Sequence, residues 1–407
     1  MSEAGMVIIG AGECGVRAAF SLRESGYAGP VTLISEESAL PYERPPLSKG
    51  FGTVAKLIAE AEKYVESSVD FLRGVHVKAI DRAARTVTTE DGRTIPYDKL
   101  LLATGASPRP FPGLPFDHER VFALRNHDDA ERLGRWMEPG RLIAIIGGGF
   151  IGLELAATFR KAGAAVTLVE ALPRILMRGV PEALALQLQD RHVAEGIDIR
   201  CGTPIASVVR LNDGVSITLT DGAEIRSDIV VIGIGAIPNT ALAEAAGLAI
   251  ENGITVDENL RTSDPDIFAA GDCCNFPLPV YDGRRVRLES WRSAQEQGAV
   301  AAANMLGQPT PIASVPWFWS DQYDMTLQVA GLADGATTSV ARVGADGSTI
   351  LFHLSGEGRL LAASGIGPGN AVARDIRLAE MLVAARAHPD PAVLADPTSK
   401  LKGLLRG

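Results

Sequence analysis

Val7-Ile8-Ile9-Gly10-Ala11-Gly12-Glu13-Cys14-Gly15 and Ile143-Ala144-Ile145-Ile146-Gly147-Gly148-Gly149-Phe150-Ile151-Gly152 repeat one glycine spacing within a single chain of 407 residues. A lone GxGxxG is weak evidence, because glycine-rich turns are common. Here each copy follows an apolar, β-branched run and opens a helical pattern, which is the context a dinucleotide fingerprint requires. The first glycine makes the tight turn, the second lets backbone N–H groups approach a pyrophosphate, and the third packs helix on strand. The helix then offers its unpaired N–H groups and positive dipole end to the phosphates. Two such turns imply two bound dinucleotides, and an enzyme holding two usually passes electrons between them.

Acidic residues support both assignments. The run Val31-Thr32-Leu33-Ile34-Ser35 ends at Glu36 and Glu37, and Val166-Thr167-Leu168-Val169 ends at Glu170. Each acid lies roughly 20 residues beyond its glycines, where a carboxylate can accept bonds from a ribose 2′-hydroxyl. Glu36 is the expected ligand at the first site, with Glu37 as its substitute, and Glu170 at the second. A carboxylate at Glu170 would repel a 2′-phosphate and so favour NADH over NADPH, although Arg174 and Arg178 follow closely.

The chain exceeds one comfortable hydrophobic core, so two or three domains are expected. Its longest apolar runs, such as residues 229–237, are too short to cross a bilayer, and the N-terminus does not resemble a signal peptide. A cytoplasmic protein without a membrane partner is expected. The net charge of −10 argues against nucleic acid as a partner. Cys14, Cys201, Cys273 and Cys274 form no CxxC pair, the six histidines are scattered, and no metal site is expected.

The repeat extends beyond the glycine loops. Helical patterns at residues 15–25 and 152–162 close on Gly26 and Gly163. An alternating segment turning at Asp91-Gly92 leads through Asp98 to Leu100-Leu101-Leu102-Ala103-Thr104-Gly105. A second, turning at Asp221-Gly222, leads through Asp228 to Val230-Val231-Ile232-Gly233-Ile234-Gly235. Each half is expected to be a parallel βαβ sheet with a small antiparallel meander. The second half is inserted in the first, because Asp266-Ile267-Phe268-Ala269-Ala270-Gly271-Asp272 reads as a strand returning to the first sheet. After Trp317, short strands are expected at 326–331, 338–343, 349–354 and 360–365, followed by an amphipathic helix over 371–387.

With these residues placed, the chain resembles the FAD-dependent NADH:ferredoxin reductases that serve oxygenases. The most diagnostic stretch is Pro41-Tyr42-Glu43-Arg44-Pro45-Pro46-Leu47-Ser48-Lys49. Supporting it are Ala103-Thr104-Gly105, Leu124-Arg125, Gly152-Leu153-Glu154, Ala270-Gly271-Asp272, Glu289-Ser290-Trp291 and Pro316-Trp317-Phe318-Trp319-Ser320-Asp321-Gln322. The resemblance implies an α/β fold with two doubly wound three-layer dinucleotide-binding domains, glutathione-reductase-like, plus a C-terminal α+β domain. The FAD-binding domain would take residues 1–110 and 240–316, the NADH-binding domain 111–239, and the C-terminal interface domain 317–407. Gly10, Gly12, Gly15 and Glu36 would hold FAD, with Val77, Ala103, Thr104, Gly105 and Gly271 completing that site. Arg44 and Arg125 would supply positive charge, and Asp272 would bond the ribityl chain. Gly147, Gly149, Ile151, Gly152, Glu170 and Gly235 would bind NADH. Lys49 would lie near flavin N5 and pair with Glu154, in the first turn of its helix, with Trp291 beside the flavin and Trp319 nearby.

The reaction so implied is hydride transfer from NADH to FAD, followed by single-electron steps to a separate [2Fe–2S] ferredoxin that feeds a cytochrome P450 or Rieske-type oxygenase. The protein would be a monomer or homodimer. Rivals on the same fold are a rubredoxin reductase, a reductase of nitrite-reductase systems or an NADH oxidase. Disulfide and peroxide reductases need a reactive cysteine at the flavin, and residues 15–200 contain none. A rival of another class is a redox-responsive, non-enzymatic flavoprotein resembling apoptosis-inducing factor, which the negative charge disfavours.

Overall fold

The computed structural model describes residues 3–51 and 54–406, without the side chain of Arg406, and divides into two compact units. The first comprises the residues up to Glu43, Ala55–Ser107 and Ile237–Ser314; the second comprises Arg44–Val54, Pro108–Ala236 and the chain from Val315 onward.

The first unit is organised by the strand Gly5–Ile9, buried along its whole length. An unbroken apolar run can be covered on both faces only inside a parallel sheet. Val31–Ser35 pairs with it on one side and Thr94–Leu102 on the other, both parallel; Val69–Arg73 and Ile267–Ala269 extend the two flanks. Ile267–Ala269 therefore returns to the first sheet, as its Gly-Asp ending suggests. Thr94–Leu102 serves two partners: its apolar end joins the parallel sheet, and its Thr94–Pro96 end pairs antiparallel with Thr86–Thr89. Helix Glu13–Glu24 packs on helix Trp291–Met305 through small residues, with a Cβ on Gly298 coming 2.4 Å from the Cys14 carbonyl oxygen.

The second unit repeats the plan. Leu142–Ile146 lies between Ala165–Glu170 and Ile229–Ile232, all parallel, with Asp198–Cys201 and Val121–Phe122 at the flanks. An antiparallel meander of Ile205–Arg210, Val215–Leu219 and Glu224–Ser227 packs over it, burying Val215, Ile217 and Ile225 with Ala144, Ile146 and Val230. Both helices start earlier than the periodicity suggests, at Glu13 and Phe150. The reason is local: the second glycine of each motif is the extended N-cap, so the helix begins inside the glycine loop.

The C-terminal segment is an antiparallel sheet in the order Trp317–Gln322, Met325–Gly331, Leu360–Pro368, Thr349–Leu354, Thr338–Val343, with helix Ala373–Ala384 packed against it. The first of these strands is not expected from sequence. Its WFWSDQ run mixes aromatic and polar residues on both faces, so no apolar alternation marks it.

Candidate functional site

Steric detail separates the roles of the glycines. Gly10 has φ +103°, and a Cβ there would stand 2.2 Å from the Ala103 carbonyl oxygen. A Cβ on Gly15 would stand 1.9 Å from the Gly10 carbonyl oxygen. The second motif repeats both collisions: Gly147 (φ +111°) against Gly233 O at 2.4 Å, and Gly152 against Gly147 O at 2.2 Å. These four glycines are required by the protein's own backbone. The middle ones are not. A Cβ on Gly12 meets no protein atom within 4 Å, and one on Gly149 meets only Gly233 O at 3.9 Å. Neither N-cap supplies a side-chain hydrogen bond to its helix. Open space over uncapped helix N–H groups suits a phosphate, so both loops fit the pyrophosphates of dinucleotides.

In the first unit, the fold brings Ala103, Thr104 and Gly105 across the Gly10 turn. It sets Gly271 so close to Cys14 that a Cβ on this glycine would stand 3.2 Å from Cys14 Cβ. Asp272 follows directly. Trp291 starts its helix beneath an N-cap from Ser290, and its indole N–H donates to Glu13 Oε2 at 2.9 Å. Gln295 donates to the other Glu13 oxygen at 2.7 Å. Burial raises the Glu13 pKa against these two bonds. The sequence reading assigns Glu13 no role, although its place between the glycines is the available signal. Glu36 is largely exposed, 3.8 Å from His76 Nδ1, whereas Glu37 accepts a bond from the Tyr42 hydroxyl at 2.5 Å. Val77 is buried at the start of Val77–Asp81. Cys14, Cys273 and Cys274 are free and buried, and burial pushes all three thiols up, away from the reactive thiolate.

In the second unit, Glu170 is bound to backbone. Oε2 accepts from Gly148 N at 2.7 Å and Oε1 from Leu172 N at 2.9 Å, which fixes the carboxylate beside the glycine turn. Arg174 donates to the carbonyls of Ile175, Leu176 and Val180, so its guanidinium is committed to folding this loop. Ile151 is half exposed on the first helical turn, and Gly235 takes φ +104°. Arg44 donates to the Arg125 carbonyl at 2.6 Å, while Arg125 N donates to Asp129, the capping-box residue of helix His127–Gly134.

Glu154 departs from expectation. It is the fifth residue of helix Phe150–Lys161, past the first turn, and is buried. Its Oε1 accepts from Ser320 Oγ at 2.5 Å and its Oε2 from Ser48 Oγ. Lys49 pairs not with Glu154 but with Asp321, at 2.6 Å, and lies 5.2 Å from the centre of the Trp319 ring. The cause is strand geometry. Neighbouring residues of Trp317–Gln322 face opposite ways, so Ser320 points inward to Glu154 and Asp321 outward to the lysine. Burial raises the Glu154 pKa, opposed by the two serine bonds and by the Lys49 charge. At Asp321 burial is outweighed by bonds from Lys49, Thr326 and Trp319, and the pKa is lowered. Ser320 and Asp321 gain no role from sequence, because the alternation that reveals them belongs to a strand the sequence does not mark; Ser48 gains none because it closes the short turn Pro45–Ser48, far in the chain from Glu154.

Two dinucleotide-binding folds and a separate C-terminal sheet define a pyridine-nucleotide-linked reductase. Residues 5–298 match the family described as pyridine nucleotide-disulphide oxidoreductase, and residues 317–405 match the reductase C-terminal family. The chain is 42% identical, over all of both sequences, to the ferredoxin–NAD(+) reductase component of the anthranilate 1,2-dioxygenase system of Burkholderia cepacia. It is 36% identical to putidaredoxin reductase of Pseudomonas putida, covering 98% of this chain and 96% of that one. The structure matches the reductase in the covalent putidaredoxin reductase–putidaredoxin complex with a TM-score of 0.93 and 35% identity, covering 100% of this chain and 99% of that one. The chain therefore belongs to the pyridine nucleotide-disulphide oxidoreductase family, among its ferredoxin–NAD(+) reductases.

The steric division of the glycines can be tested directly. Gly15→Ala should lower stability by about 1–3 kcal/mol through overpacking, measured by thermal unfolding of the apoprotein. Gly12→Ala should leave that unfolding unchanged yet reduce FAD content; equal behaviour of the two variants would contradict the division. Glu170→Arg should move the NADPH-to-NADH ratio of kcat/KM toward NADPH by about tenfold, as a repulsive charge becomes an attractive one; an unchanged ratio would remove Glu170 from the ribose site.

Proposed function

We propose that this chain carries electrons from NADH, through FAD, to a ferredoxin of the [2Fe–2S] type that feeds a cytochrome P450 or Rieske-type oxygenase in the cytoplasm. The observation that carries this reading is the similarity, over the whole chain including the C-terminal sheet, to ferredoxin–NAD(+) reductase components. In this reading residues 1–110 and 240–316 bind FAD, 111–239 bind NADH, and 317–407 form the C-terminal interface domain. Among the described residues no helix is long and apolar enough to cross a membrane.

One NADH supplies two electrons, so each turnover reduces two ferredoxins and releases NAD⁺ and a proton. The chemistry FAD supplies when bound is the exchange of a hydride for single electrons; the chain contributes binding, orientation and charge. Gly12 and Gly15 would present backbone N–H groups to its pyrophosphate, Gly10, whose own N–H donates to the Ile34 carbonyl at 2.8 Å, would hold the turn beneath it, and Glu36 would bond its adenosine ribose. Ala103, Thr104, Gly105 and Gly271 would complete the site around that loop, Asp272 would orient the ribityl chain, and Val77 would belong to the same site. Gly147, Gly149, Gly152, Ile151, Gly235 and Glu170 hold NADH. Arg44 and Arg125 would supply positive charge around the cofactor, and Trp291, steadied by Glu13, would support the flavin. Lys49 would supply positive charge toward the bound flavin, with Asp321 and Trp319 restraining its ammonium, and Glu154 would support the same region from the buried side.

The decisive test is NADH-dependent reduction of [2Fe–2S] ferredoxins, compared with ferricyanide and oxygen as acceptors. Fast ferredoxin reduction supports the reading; ferricyanide activity with sluggish ferredoxin reduction, or oxygen as the preferred acceptor, refutes it. Lys49→Met should slow flavin reduction by NADH about tenfold or more, the loss of one preorganised charge, while FAD stays bound. A native reduction rate would assign the lysine to structure alone.

A further inference from the structure

Behind Glu154 runs a continuous chain of buried polar side chains that the proposed mechanism leaves unused. Ser320 Oγ, bonded to Glu154, lies 3.0 Å from Gln322 Nε2, and Gln322 Oε1 lies 2.6 Å from His192 Nε2. The Tyr323 hydroxyl stands 3.5 Å from His192 Nδ1. His192 is wholly buried, and Gln322 and Ser320 are nearly so. His192 belongs to helix Glu182–Ala194, whereas Ser320 and Gln322 share the inward face of Trp317–Gln322. The chain thus ties two separate elements to one carboxylate.

Donor and acceptor chemistry gives the chain a direction. An amide oxygen only accepts, so His192 must carry its proton on Nε2. The Gln322 amide N–H then donates to Ser320 Oγ, and the one hydroxyl proton of Ser320 is left for Glu154 Oε1. Every donor points toward Glu154, as an ionised carboxylate demands. The opposite amide orientation and ring tautomer would turn Ser320 away and suit only a protonated Glu154.

The end of the chain is anchored. Tyr323 sits in the left-handed region, φ 57°, in the hairpin between Trp317–Gln322 and Met325–Gly331. This is costly for an aromatic residue without support. The support is a clamp from helix Glu182–Ala194: the His192 ring meets the Tyr323 ring edge-on at 5.1 Å, Arg191 covers it at 4.9 Å, and Arg191 also binds Asp324 at 3.0 Å.

We infer that His192 is a positioning residue, acting through Gln322 and Ser320 to hold the Glu154 carboxylate ionised and in place. This rests on the reading that Glu154 serves flavin reduction. His192→Phe keeps the ring packed on Tyr323 but removes the donor, and His192→Gln restores an amide N–H toward Gln322. In anaerobic stopped-flow reduction of the FAD-loaded protein, His192→Phe should slow the limiting rate ~fivefold, one hydrogen bond's worth, with half-saturating NADH changed less than twofold. His192→Gln should recover most of the rate, and Gln322→Leu should reproduce the loss even if His192→Phe fails to fold. In the apoprotein, ¹⁵N spectra should show His192 as a neutral ring protonated at Nε2. A native rate in His192→Phe or Gln322→Leu, equal slowing in His192→Phe and His192→Gln, or an Nδ1-protonated or charged ring would each overturn the inference. Glu154→Gln separates the two levels. If it slows reduction while His192→Phe does not, only the relay falls; if it reduces at the native rate, the role of Glu154 falls and the relay with it.

Discussion

The structure depends on how closely a helix can approach the strand that precedes it. At Gly15 and Gly152 the gap between helix and turn is too small for a methyl group, since a Cβ would stand 1.9 and 2.2 Å from a backbone oxygen. That contact sets the helix against the strand end and leaves open space over Gly12 and Gly149, the kind of helix N-terminus that suits a phosphate. The surrounding sheets serve this arrangement. The buried strands Gly5–Ile9 and Leu142–Ile146 hold the turn rigid, and Glu170 braces the second turn through Gly148 N.

A second constraint is the alternation of strand Trp317–Gln322. One face sends Ser320 and Gln322 inward to Glu154 and His192; the other sends Trp319 and Asp321 toward Lys49. Two carboxylates near one lysine thereby acquire different characters. Glu154 is buried and bonded by hydroxyls, and its pKa is raised; Asp321 is partly exposed and paired with the ammonium, and its pKa is lowered. Environment, not residue type, distinguishes them.

Much of the fold is legible in the sequence because local and global preferences agree. β-branched runs, glycine turns and αL caps such as Gly26 and Gly163 describe the same two βαβ units whether read along the chain or in space. Ile267–Ala269 can be placed because a buried apolar run ending in Gly-Asp has few other places to go. The Lys49 partner cannot, because charge complementarity in a sequence does not say which of two acids a lysine meets. Glu13 and Ser48 carry no local mark of their roles, since their partners, Trp291 and Glu154, are distant in the chain.

What the sequence alone determined were the two glycine turns, each between a buried strand and a helix, and the return of Ile267–Ala269 to the first sheet. Each is encoded in a few adjacent residues whose backbone requirements are intrinsic. Only the tertiary structure decided which glycines answer to protein and which to open space, and that Glu154 is held by two serines while Lys49 turns to Asp321. Those outcomes depend on burial and on strand faces meeting across long sequence separations, where the pairing energy is set by the surroundings rather than by the pair itself.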